Sequence, residues 1–138
     1  MKRTITTLIA GAAFAALASL LSAAPARADS DAQCNAAFAT DDYPGTAVYC
    51  SAQYQEVALD FSSATYHDLK CVDQVLMGET ATEAGWAYNH MQDEEKAYDL
   101  AGSARTAMTW VLDNNCPADD NNVARRHLST LIGDLTGH

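Results

Sequence analysis

The chain has 138 residues, with 18 acidic against 8 basic side chains and a formal net charge of −10. That length suits one small domain with a single core, and that charge repels phosphate backbones, so nucleic acid is not an expected partner. Helical spacing of apolar residues dominates and no alternating stretch of useful length occurs, so an all-α fold is expected.

Lys2 and Arg3 precede an apolar run from Ile5 to Leu21, and Ala26-Arg27-Ala28 follows as a small-x-small site. That order reads as a secretory signal peptide of an alanine-rich, bacterial kind. An uncleaved anchor is the competing reading, since the run is about as long as a minimal membrane span. Cleavage after Ala28 leaves residues 29–138 as the mature domain. That part keeps five basic and 18 acidic residues, a net charge of −13. The expected location is the periplasm or the medium, with no membrane association once the signal is removed.

Ser30-Asp31-Ala32-Gln33 fits a capping box and predicts a first helix to about Thr40. Asp41-Asp42-Tyr43-Pro44-Gly45 reads as a turn. A second helix carries Ala47, Cys50, Tyr54, Val57 and Phe61 on one side, and Ser62-Ser63 interrupts it. A third carries Leu69, Val72 and Leu76, with Gly78 as its closing residue. Thr80-Ala81-Thr82-Glu83 fits another capping box and opens a fourth helix through Ala84, Tyr88 and Met91. Gln92-Asp93 marks a bend. The fifth helix has Ala97, Ala101, Ala104, Met108 and Val111 on one face and must end before Pro117. Asp119 or Asp120 caps a sixth, with Ala124, Leu128, Leu131 and Leu135 as its stripe. Six short helices with short connections give antiparallel helical hairpins.

All four cysteines, Cys34, Cys50, Cys71 and Cys116, lie in the mature part. An even count in a small exported domain implies disulfides. No C-x-x-C occurs, and the spacings are wide for a zinc site. Cys34 and Cys50 stand eight residues either side of Asp42, within the first bend. Antiparallel helices bring such residues to matching heights, which pairs Cys34 with Cys50 and leaves Cys71 for Cys116.

Ala84-Gly85-Trp86-Ala87-Tyr88, the bend at Gln92-Asp93, then Ala97 and Ala104 resemble a tetratricopeptide (TPR) repeat. Gly85 and Tyr88 match that family's first helix, and Ala97 and Ala104 its second. Ala81, Ala84 and Thr109 depart from it, standing where Trp, Leu and Pro are expected. A fainter copy lays "AFATDDYPGTAVYC" over "AYNHMQDEEKAYDL" at an offset of 50 residues. The resemblance implies stacked hairpins and a protein- or peptide-binding groove lined by Glu79, Thr82, Trp86, Asn89 and His90. Trp86 is the implied anchor, its alternative being core packing between hairpins. A plain helical bundle is the competing architecture.

Other constellations carry less. His67 and Cys71 are one helical turn apart, as are His90 and Glu94, but each pair supplies only two metal ligands. "DNNCPADDNN" lacks the order and closing Glu of an EF-hand loop. No catalytic constellation stands out, and no cofactor or metal is expected. The expected role is an exported protein–protein interaction module whose partner is a protein or peptide, with basic partners favoured by charge. A structural or effector bundle, and a metal-binding protein or enzyme, are the alternatives.

Overall fold

The computed structural model describes the backbone of residues 23–131 and the side chains of residues 30–129. All regular structure among them is helical. Five helices run in order: α1 (Ala23–Ala39), α2 (Tyr43–Ser63), α3 (His67–His90), α4 (Glu94–Asp113) and α5 (Ala118–Arg126), and a π-helical turn at His127–Leu131 follows α5. Residues 1–22, the bulk of the expected signal peptide, lie outside the described residues, as does Leu135 of the expected last stripe.

The expected first helix starts too late. Ser30 sits inside α1, not at its N-cap, and its hydroxyl donates to Glu56 Oε2 of α2 at 3.2 Å. Helix α1 therefore includes Ala26-Arg27-Ala28.

The larger correction concerns the middle of the chain. The expected third and fourth helices are one, α3, of 24 residues. Gly78 is not its end. It is buried in mid-helix, where a side chain would collide with the fully buried thioether of Met108 on α4. Nor does Thr80 cap a new helix. Thr80 Oγ1 donates to Leu76 O at 2.9 Å, and Thr82 Oγ1 to Gly78 O at 2.7 Å. Both hydroxyls bond back to the preceding turn, so helix continues through them.

The bends are where the polar punctuation puts them. Asp42 caps α2 by accepting from Gly45 N–H at 3.0 Å, and Pro44 lies in the first turn. Gly45 is needed there, because a β-carbon would strike the Asp42 carboxylate. Asp93 caps α4 by accepting from Lys96 N–H at 3.3 Å. The α1–α2 and α3–α4 connections are built alike. Each places a non-glycine residue in the left-handed region, Asp41 at φ 57° and Gln92 at φ 63°. The next amide reaches back to close each turn, Asp42 N to Ala37 O at 3.0 Å and Asp93 N to Tyr88 O at 2.9 Å. These equivalences have an offset of 51 residues, one more than the sequence alignment gives.

Packing is serial. Each of α1 to α4 packs on the next in sequence, and α5 packs on α4 and α3. A closed four-helix bundle would bring α1 back onto α4. Here α4 reaches the α1–α2 hairpin through side chains: Leu100 touches the Cys34, Cys50 and Ala84 cluster, and Trp110 meets Phe61. The larger core cluster lies between α3, α4 and α5 and is rich in small residues, among them Ala81, Ala101, Ala104 and Ala124 around Met108 and Val111. Small side chains let helix axes approach closely. Both expected disulfides are present, Cys34–Cys50 and Cys71–Cys116.

Candidate functional site

Helices α2 and α4 both pack on α3 and meet each other through side chains, Phe61 against Trp110. A cleft of about 490 Å³ opens along this junction. Tyr54 comes from α2, Gln74 and Met77 from α3, and Asp99, Gly102, Ser103, Thr106, Ala107 and Trp110 from α4. Its size lies in the range of sites that take a small molecule or a few side chains. Tyr54, Met77 and Trp110 are half-buried and offer apolar surface, while Asp99 is an exposed carboxylate. The Trp110 ring is held edge-on to Phe61 at 5.4 Å and tilted against His67 at 6.4 Å.

Gly102 is the informative residue of this cleft. It lies in the interior of α4 and is exposed. Glycine there costs about 1 kcal/mol relative to alanine. No intramolecular packing requires it, since a β-carbon would meet nothing within 4 Å. Gly78 is the contrast, its missing side chain being filled by Met108.

The five groove residues expected from the sequence do not share one surface. Trp86 is half-buried in an aromatic group, edge-on to Phe38 at 5.2 Å and to Tyr43 at 5.1 Å. His90 stacks on Tyr43 at 4.6 Å, and its Nδ1 donates to Trp86 O at 3.0 Å. Asn89 and His90 are exposed beside this group, while Thr82 is buried and bonded within α3. Glu79 lies toward the other end, 3.7 Å from His127 Nε2. The cleft residues escaped the sequence reading because they come from three helices. Only the unexplained glycine in "AGSA" could have flagged them.

A half-buried acid marks a third region. Glu83 Oε1 lies 3.4 Å from Cys34 Sγ and 3.9 Å from Cys50 Sγ. Disulfide sulfurs carry no hydrogen, so any hydrogen bond here has the carboxyl as donor. The environment agrees. Burial above all, then the charges of Glu79 and Asp31, push the Glu83 carboxyl up to about 7, and His127 opposes them only in part. Nearby, Gln53 Nε2 donates to Asp31 Oδ1 at 2.6 Å, tying α2 to α1.

Comparison of the chain with protein-family models, curated proteins and solved structures finds no match. Function therefore rests on the geometry. No helix among the described residues is long and apolar enough to cross a membrane.

Proposed function

We propose that this chain is an exported, disulfide-stabilised helical-hairpin protein that binds a basic, amphipathic segment of another protein in the cleft between α2, α3 and α4. The observation that carries the reading is Gly102. A helix-weakening residue with open space above it is explained by an occupant that approaches the α4 backbone closely. Tyr54, Met77 and Trp110 would receive an apolar side chain, and Asp99 a lysine or arginine. The acidic composition supports a basic partner by raising its local concentration. The two disulfides support an oxidising compartment. The serial packing and the paired turns at an offset of 51 support the repeat-like hairpin reading over a closed bundle.

The test uses synthetic helical peptides of alternating leucine and lysine character, with glutamate versions as controls. In a Trp86→Phe background Trp110 is the sole tryptophan. Its emission should respond saturably to the basic peptides and not to the acidic ones. Gly102→Leu should abolish the response while leaving helicity intact. Equal binding to Gly102→Leu, or no binding to any basic peptide, would sink the cleft. A response confined to a Trp110→Phe protein would instead place the site at Trp86, Asn89 and His90.

A further inference from the structure

The second disulfide has a neighbour with ligand chemistry. His67 opens α3, one turn before Cys71, and its Nε2 lies 3.6 Å from Cys71 Sγ. That nitrogen and the sulfurs of Cys71 and Cys116 all lie within 4.8 Å of one another. We propose that the Cys71–Cys116 disulfide masks a zinc site, which forms when the pair is reduced and which His67, Cys71 and Cys116 ligate with one position left open.

The dimensions fit. Tetrahedral zinc with bonds of about 2.3 Å to sulfur and about 2.0–2.1 Å to nitrogen sets adjacent sulfur and nitrogen ligands about 3.5 Å apart. The His67–Cys71 edge already has that length. The Cys116 sulfur must move, to about 3.8 Å from the Cys71 sulfur and about 3.5 Å from the imidazole nitrogen by the same geometry. Cys71 is fixed on α3, but Cys116 lies in the loop between α4 and α5, beside Asn115 at φ 55°. A loop residue can supply that movement with little disturbance to the helices.

The surroundings also fit. Cys71 and Cys116 are buried while His67 is exposed, so an ion enters from the imidazole side. The first disulfide has a comparable neighbour, since Cys34, Cys50 and the Glu83 carboxyl also lie within 4.8 Å of one another. It differs in access: both sulfurs are fully buried, Glu83 is half-buried, and no exposed imidazole opens the group to solvent.

The redox step balances with a dithiol as reductant. Its two thiols close to a disulfide, while Cys71 and Cys116 gain two electrons and two protons. Zinc then replaces the two thiol protons, which leave to solvent, and the metal remains divalent. This site shares no ligand with the α2–α3–α4 cleft, although His67 lies against the cleft's Trp110 at 6.4 Å.

Cobalt(II) is the probe. The protein is reduced with a phosphine, freed of it under argon, and titrated with cobalt chloride. Thiolate-to-cobalt absorption should saturate at one ion per chain, zinc should abolish it, and the oxidised protein should show none. His67→Ala should weaken affinity at least about tenfold, the loss that even an outer-shell partner of a zinc ligand brings. A Cys34→Ser/Cys50→Ser variant should bind as before. Circular dichroism follows the fold throughout. If reduction melts the helices, cobalt should restore them, because ligation and folding are then one equilibrium. Failure to restore them, absence of the absorption in helical reduced protein, indifference to His67→Ala, or loss of binding in the Cys34/Cys50 variant would each overturn the proposal.

Discussion

Met108 occupies the space that a side chain on Gly78 would need, its sulfur standing 2.7 Å from where the β-carbon would lie. This contact joins α3 to α4 at a point where both residues are buried. Gly78→Ala should therefore destabilise the protein even though alanine is the better helix former. Overpacking costs about 1–3 kcal/mol, and the propensity gain of about 1 kcal/mol offsets only part of it. Denaturant unfolding checks this, and a gain in stability would refute it.

Gly102→Ala should do the opposite. The new methyl group meets open space, so the free protein should gain up to about 1 kcal/mol from helix propensity alone. Peptide affinity for the cleft should fall in the same variant. Stability rising while binding falls is the combination that distinguishes a functional glycine from an incidental one.

Acidity should stabilise the fold through Glu83. Its carboxyl titrates near 7 when folded and near 4.5 in an ordinary setting, so folding favours its protonated form. The contribution is fully present below about pH 4.5 and is lost as pH rises through 7. By linkage it is on the order of 3 kcal/mol. Other carboxylates have their own pH dependence, so the diagnostic is a difference. Stability of Glu83→Gln relative to the native protein should increase steadily between pH 5 and pH 8 (values spanning the titration about 7). A constant difference across that range would show that the carboxyl is ionised throughout.

Trp86→Ala should lower the melting temperature. The ring is edge-on to Phe38 and Tyr43 and fixes the first bend against the end of α3. Because it is only half-buried, the loss should lie at or below about 3 kcal/mol, the low end for a buried tryptophan. An unchanged melt would mean that the aromatic group contributes surface, not packing.

The two disulfides should contribute unequally. Cys71–Cys116 closes 45 residues and Cys34–Cys50 closes 16. Chain entropy assigns about 4 kcal/mol to the first and about 3 kcal/mol to the second. Unfolding of the two double-alanine variants tests the order.

The bends and the Cys34–Cys50 pairing were legible in the sequence because their signals are local, and Cys71–Cys116 then followed by elimination. Asp42 and Asp93 cap helices, Pro44 and Gly45 mark a turn, and a bend midway between two cysteines pairs them. The continuity of α3 was not legible. Gly78 followed by Thr80-Ala81-Thr82-Glu83 imitates a stop and a restart, and what keeps the helix running is Met108 from another helix. The offset between the hairpins was misread by one residue because backbone conformation at Asp41 and Gln92, not residue identity, defines it. Of the candidate site, Trp86 and His90 were found together, with Asn89 beside them. Thr82 and Glu79 share their helix but turn to other neighbours. The cleft was missed since Tyr54, Met77 and Trp110 meet only once three helices have assembled.

Serial packing also bears on how the molecule is made. Each helix finds its main partner within the next stretch of chain, so little loop entropy must be lost before a contact forms. Such local topologies reach the native state quickly. A chain delivered from its amino terminus can complete the α1–α2 hairpin, and with it the alignment of Cys34 and Cys50, before α4 has emerged. Cys71 has no such early partner. It waits unpaired until Cys116 arrives, and through that interval its thiol has His67 one helical turn away.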